Sequence, residues 1–338
     1  MCRFPSGSTI APFLAHSLPC PSDKSHEPSG PGQAPKTRVT ICTGVESSRL
    51  ENPIRGTSRP VRTVDELAIR EHAAVRFRSE YEYAQFEYWR SAKLFGYLER
   101  SGVRRFDRVL DDGCGGGGMC VSFGEEARRV VGIDPADRFS EAGTRLAKEK
   151  SVDTVRFVRA DGMDLPFRPG SFDLVLSHSV IEHVADPARY LREARRVLGP
   201  GGLLFLQTAP YLSPHGAHLP RLKVPVPLHL LVGRRAAFAV SCWLGKHRPE
   251  WLDVDPEGSS FVTLARRGEK KIDDLLYKVT VRNLRRHIVE AGFRPVREDL
   301  YVSRIATRLL AKSLASRLPR VPLFRDILVA NMEYLLVT

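Results

Sequence analysis

The spacing of apolar positions along the chain changes character several times. Residues 66–100 hold no Gly or Pro before Gly96 and are dense in aromatics, among them Phe77, Tyr81, Tyr83, Phe86, Tyr88, Trp89, Phe95 and Tyr97. This predicts one or two helices. Phe86 and Trp89 stand three apart on one face, which suits a helix packed on a sheet better than a substrate lid. After Gly102 a different rhythm begins. Strands are predicted over 108–112, 130–134, 155–160, 172–177 and 203–208, alternating with helices over 119–129, 140–150 and 187–198. Residues 211–280 lose the rhythm. A helix over 281–291 with Gly292 at its C-cap, a strand over 294–301, a helix over 305–318 and a closing strand over 332–338 complete the pattern.

Strands alternating with helices imply βαβ units and helices on both faces of a largely parallel sheet. The expected fold is therefore α/β: a doubly wound, seven-stranded, Rossmann-like sheet with an insertion after the fifth strand. Residues 1–60 stand apart. They contain nine Pro, nine Ser and five Gly, and such a stretch cannot bury enough apolar surface to offset its ordering entropy. It is expected to be a disordered extension, or sequence upstream of the true start, and the domain is expected to occupy 61–338. Within it, 61–104 supply N-terminal helices, 105–210 the core, 211–280 a substrate-side insertion, and 281–338 the last helices and two strands.

Composition adds exclusions. With 42% hydrophobic and 27% charged residues the chain is ordinary globular material. Its longest uncharged run, Val197 to Pro220, is broken by Gly, Pro, Gln and His, so no clean membrane span is expected. The apolar segment 10–20 is interrupted by Pro12 and Pro19, which weakens it as a secretory signal. Cysteines at 2, 20, 42, 114, 120 and 242 show neither CxxC spacing nor an accompanying His pattern. Disulfide and zinc frameworks are disfavoured, no metal is expected, and reduced thiols in a cytoplasmic setting fit best. The net charge of +13 is uneven: −2 over 106–210 and +10 over 211–338. A basic excess outside the core points to an anionic partner.

The first strand ends in Val109-Leu110-Asp111-Asp112-Gly113-Cys114-Gly115-Gly116-Gly117-Gly118. Glycines here let the backbone turn sharply and let a ligand approach a helix start. Gly113, Gly115 and Gly118 also satisfy GxGxxG, a weak signal alone. Asp111 discriminates between ligands. A carboxylate beside the loop repels a dianionic pyrophosphate and attracts an ammonium and a sulfonium. S-adenosyl-L-methionine carries both cations, whereas a nicotinamide cofactor, and hence a NAD-dependent dehydrogenase, is disfavoured. The plain alternative for Asp111 is a capping residue in a tight turn. Asp134 ends the second strand, where an acid can hold both ribose hydroxyls. Asp161 ends the third, where it can accept from an adenine amine while Met163 flanks the ring.

The chain resembles the class I SAM-dependent methyltransferases, and within them the broad small-molecule group called type 11. The carriers are VLDDGCGGGG (109–118), GIDP (132–135), ADGMDLPF (160–167), FDLVLSHSVIEHV (172–184) and EARRVLGPGGLLFLQT (193–208). The resemblance implies strand order 3-2-1-4-5-7-6 with the last strand antiparallel. It implies that Asp111, Gly113, Gly115 and Gly117 hold the methionine end of the cofactor, with Asp134 on the ribose and Asp161 near the adenine. Gly162, Met163 and Ser177 complete the expected cofactor-binding set. Asp112, where many members are neutral, departs from the pattern.

Methyl transfer needs a general base only when the acceptor is a hydroxyl or a carbon acid. Candidates are His178, His183, His215 and His218. Neither the Pro-Pro-aromatic motif of nucleobase amino-methylases nor a cysteine placed to attack a pyrimidine is present, which counts against nucleic acid. The expected acceptor is a small sugar- or lipid-linked metabolite. RNA or protein methylation, and cofactor binding without turnover, are the alternatives. Ala194 to Arg248 holds no acidic residue, and 301–325 carries six basic residues and no acid. Stripes at Leu310, Leu314 and Leu318 and at Arg304, Arg308 and Lys312 extend this basic, partly apolar surface, which suits peripheral contact with an anionic membrane or a phosphate-bearing substrate.

Overall fold

The computed structural model describes residues 38–42, 63–76, 78–136, 139–213, 228–251, 278–303 and 321–338. The strands are β1 (Arg38–Cys42), β2 (Arg108–Asp112), β3 (Arg129–Asp134), β4 (Val155–Arg159), β5 (Phe172–His178), β6 (Leu198–Thr208), β7 (Arg294–Val302) and β8 (Val329–Val337). They form one sheet in the order β4-β3-β2-β5-β6-β8-β7-β1. β4, β3, β2, β5 and β6 run parallel, and β8 lies antiparallel to both β6 and β7. All seven expected strands form in the expected order.

The eighth strand corrects the expectation of disorder throughout 1–60. Arg38–Cys42 pairs antiparallel with β7, from Arg38 opposite Tyr301 to Cys42 opposite Arg297. The segment RVTIC alternates β-branched and polar residues, and β7 offers it an otherwise unpaired edge. The rest of 1–60 lies outside the described residues, as do most of the insertion and the helix expected over 305–318.

Alternation along the strands builds two core layers. Leu110, Leu204, Leu206, Tyr334 and Leu336 face one side, where α6 (Pro187–Val197) and α9 (Val281–Glu290) cover them. Val109, Leu203, Phe205, Leu335 and Val337 face the other, under α3 (Ala92–Arg100) and α4 (Gly118–Gly124). A period of two thus sends neighbouring residues of each strand to opposite layers. Each fully buried Leu contributes about 1.5–3 kcal/mol. The expected helix over 119–129 stops at Gly124, which passes too close to Val152, Thr154 and Val155 to carry a side chain.

The stretch 66–100 forms three helices: α1 (Glu66–Val75), α2 (Glu80–Arg90), and α3. Ser79 caps α2 by accepting from the Glu82 amide at 3.1 Å. Only α3 lies on the sheet as expected, through Phe95 and Leu98. α2 packs instead on α4 and α5 (Phe139–Glu149). Tyr88 donates to Glu125 at 2.6 Å, Tyr81 to Glu149, and Ser91 to Ser122. Phe86 and Trp89 therefore stay half-buried, because their helix covers other helices rather than strands.

Candidate active site

β2 delivers two acids to one place, facing opposite layers. Asp111 follows the parity of Val109 and is 2% exposed. The Cys120 thiol donates to its Oδ2 at 3.2 Å. Burial pushes its pKa up to about 7, the Cys120 hydrogen bond opposes this, the Asp134 charge adds to it, and Arg90 opposes it. Asp112 follows the parity of Leu110, also at 2% exposure. Burial pushes it up to about 8, with the charges of Asp111, Asp161 and Asp134 adding, while the Tyr190 hydroxyl favours its charge. Its Oδ2 is buried without a hydrogen-bond partner among the described residues. Tyr190 in turn donates to Ser177 Oγ at 2.8 Å.

The glycine loop turns through positive φ at Gly113 (82°), Gly115 (54°) and Gly117 (82°), conformations that favour glycine. The Gly115 amide donates to Asp134 Oδ2 at 3.1 Å, and the Ala136 amide to Oδ1 at 2.8 Å. Asp134 thus fixes the loop, and each oxygen keeps a lone pair for a further donor. Asp161 is exposed, and its Oδ1 accepts from the Met163 amide at 2.8 Å. Met163 Sδ accepts from the Asp186 amide at 3.4 Å, so the turn is tied to the start of α6. Gly162 packs so closely on Asp112 and Tyr190 that no Cβ fits. Ser177 is fully buried, where its hydroxyl supports Tyr190.

His178 ends β5 with its Nδ1 3.5 Å from Ser179 Oγ. Burial, and then the charge of Arg90, hold its pKa well below the ordinary range, so it is neutral at pH 7. Ser179 takes a left-handed φ of 61°. Its amide and hydroxyl both engage Gln207, at 2.9 and 2.8 Å, which holds the turn in that shape. Beyond it, a single 3₁₀ turn (Ile181–His183) carries Glu182, which accepts from Thr208 Oγ1 at 2.8 Å and is pushed up to about 7 by burial. His183 closes that turn, half-buried. His215 and His218 lie outside the described residues.

Sequence reasoning missed Arg90 and Tyr190. Arg90, at the end of α2, acts electrostatically on both Asp111 and His178, and its guanidinium lies 5.0 Å from the Phe86 ring centroid. The only sequence signal for it was a basic residue closing an aromatic helix. Tyr190 was hidden as one more apolar position of α6.

Past the end of β6 lies a cavity of about 690 Å³. Tyr211, His229, Arg234, Arg235 and Lys278 line it. The Arg234 and Lys278 cations stand 6.0 and 5.7 Å from the Tyr211 ring centroid, and His229 Nε2 lies 3.0 Å from the Tyr211 carbonyl oxygen. Among the described residues no group of His, Cys, Asp and Glu is arranged to hold a metal.

Comparison with known proteins turns on the segment that builds this site. Residues 110–206, from β2 through β6, match the family model described as "Methyltransferase domain". This segment is thus similar to a methyltransferase domain. An uncharacterized methyltransferase of Mycobacterium sp. (strain JLS) is 39% identical over 142 residues, covering 42% of this chain and 52% of the relative. One from Mycolicibacterium vanbaalenii is 38% identical over 160 residues, covering 47% and 58%. The chain thus spans about half the length of the curated relatives it matches. The chain is also similar to a solved S-adenosylmethionine dependent methyltransferase from Mesorhizobium loti. That match has 20% identity and a TM-score of 0.42, covering 68% of this chain and 90% of that one. No helix among the described residues is long and apolar enough to cross a membrane.

Proposed function

We propose that the chain transfers a methyl group from S-adenosyl-L-methionine to a small anionic acceptor, sugar- or lipid-linked. The observation that carries this is Asp111. It is a buried carboxyl beside a glycine loop, with its proton affinity raised by burial and by Asp134. Such a group favours a cation beside it, because desolvation has removed water and Arg90 compensates it only at a distance. An ammonium or sulfonium fits that need, whereas a pyrophosphate would add repulsion from three acids at successive strand ends. The residues therefore fit the cofactor that the domain family implies.

The bound cofactor supplies a methyl carbon already activated by its sulfonium. What this chain contributes is placement, and alignment alone can supply about 7–11 kcal/mol. Asp111, with the loop at Gly113, Gly115 and Gly117, holds the amino-acid end. Asp134 holds the ribose, and Asp161 with Gly162 and Met163 the adenine. Ser177 acts through Tyr190 and Asp112 as support beneath them. α2, closed over the loop, excludes water. If the acceptor is a hydroxyl, we assign the taking of its proton to His178, at the end of β5 and held neutral by burial. The cationic cavity past β6 supports an anionic acceptor, and its volume suits a small molecule.

The test is incubation with the cofactor and fractionated metabolite and lipid extracts, followed by mass spectrometry. A methylated product together with S-adenosylhomocysteine is expected, enriched among acidic fractions. Turnover confined to RNA or protein fractions would overturn the acceptor assignment. Binding of the cofactor with no turnover in any fraction would overturn the enzymatic one.

A further inference from the structure

Residues 228–251 fold as a small helical unit past the end of β6: α7 (Leu228–Leu231), α8 (Arg234–His247) and a 3₁₀ turn (Pro249–Trp251). A surface helix ordinarily turns its polar face to water. α8 does not. At about 100° per residue, Ala236, Ala239, Val240 and Trp243 fall within roughly 100° of arc. All four are exposed, Trp243 at 58%. The side turned inward holds buried Ala237 and half-buried Phe238 and Leu244. Leu231 (68%) and Trp251 (52%) add to the exposed surface. Two of the chain's three tryptophans therefore stand on one small unit in water.

The charges around this surface are predominantly positive. Arg235 and Lys246, both exposed, lie beside the apolar stripe of α8. Arg234 and Arg248 stand at its two ends. Arg248 faces Glu250 at 3.8 Å, the first acid after Glu193. An apolar stripe carrying tryptophan and flanked by cations matches the boundary layer of an anionic bilayer: aliphatic and indole groups enter it, and Lys and Arg meet the phosphates. An acidic protein partner would complement the charge but leave the exposed Leu231 and both tryptophans less well explained. The cationic cavity adjoins the same unit, since Leu230, Val232, Arg234 and Arg235 line it.

The geometry points to residues 228–251 as a docking element for the surface of an anionic phospholipid bilayer. Because the cavity adjoins this element, an acceptor docked with it could present its charged end there while its chain stays in the membrane. This assignment goes beyond the methyl-transfer reading and does not depend on it.

The test uses the full chain with phosphatidylcholine vesicles, with and without phosphatidylglycerol. Co-sedimentation is expected with the anionic vesicles only. It should weaken at high salt as screening shortens the reach of the charges. Tryptophan emission should shift to the blue and be quenched by brominated acyl chains, a readout that needs no variant. Trp243→Ala with Trp251→Ala should abolish the quenching. Lys246→Glu with Arg248→Glu, neither of which lines the cavity, should weaken vesicle binding about tenfold or more. S-adenosylhomocysteine affinity should be unchanged in both variants. No binding to anionic vesicles, or equal binding by parent and variants, would overturn the assignment. So would a concentration-dependent dimer that Trp243→Ala dissolves without any vesicle binding, which would give the surface to a second copy. Vesicle binding without S-adenosylhomocysteine binding would instead contradict the methyl-transfer reading and leave this one standing.

Discussion

The backbone carbonyl of Ala84 lies directly over Gly118, so close that a Cβ on Gly118 would overlap its oxygen. Helix α2 thus rests its backbone directly on the end of the glycine loop. Glu87 Cβ and the Ala84 carbonyl carbon crowd the same position.

Gly118→Ala must therefore move α2, because backbone cannot yield as a flexible side chain can. Overpacking of this kind costs about 1–3 kcal/mol. The expected result is a clear fall in melting temperature together with weaker S-adenosylhomocysteine binding. Gly199→Ala is the control. Its nearest atoms are 3.7 and 3.8 Å away, and thermal melts should place it close to the parent.

The raised carboxyls make a prediction in pH. Asp111 and Asp112 ionise near 7 and 8 in the folded chain, against about 4 when unfolded. Between those values the folded state holds protons that the unfolded state has lost. The contribution of these groups to stability is therefore fully present below about pH 4 and is lost as pH rises through 7 to 8. A cationic ligand favours the ionised Asp111. Cofactor affinity should accordingly rise from pH 6 to pH 8, by up to about tenfold per pH unit for each proton released. Calorimetry in buffers of different ionisation enthalpy measures that release directly. A flat profile would mean that Asp111 does not meet the cofactor's charge.

Tyr190→Phe removes the hydroxyl that engages Ser177 at 2.8 Å and favours the charged form of Asp112. A loss of about 1 kcal/mol is expected. The loss should be larger above pH 8, where Asp112 is ionised, than at pH 6. Equal losses in melts at both pH values would show that Tyr190 acts by packing alone.

Arg90→Met tests the contribution of α2 to the electrostatics. The Arg90 charge lowers the pKa of both Asp111 and His178. Without it both should titrate higher, His178 toward its ordinary value while burial still holds it down. Ring resonances of His178 followed by NMR through the titration would show the shift.

Much of this architecture was legible because strand alternation and strand-end chemistry are local. The period of two that sends Val109 and Leu110 to different layers is visible in the sequence, and so are three acids at successive strand ends. Other features depend on distant contacts. No local pattern says that α2 will lie on Gly118 rather than on a strand, since that follows from glycines 30 residues later. The pairing of Arg38–Cys42 with β7 was masked by the Pro- and Ser-rich sequence around it. Tyr190 looked like one more core position because its hydroxyl finds Ser177 only when α6 folds back over β5. The cavity past β6 joins Tyr211 to Lys278, residues so far apart in sequence that spacing carries no information.

Calorimetric titration of the parent and of Asp111→Asn with S-adenosylmethionine and with NADH tests the central claim most directly. The account predicts that the parent binds one S-adenosylmethionine per chain and no NADH. Asp111→Asn should lose about 1–3 kcal/mol of that affinity with its charge-assisted hydrogen bond. Binding of NADH in place of S-adenosylmethionine, or an Asp111→Asn variant as tight as the parent, would contradict it.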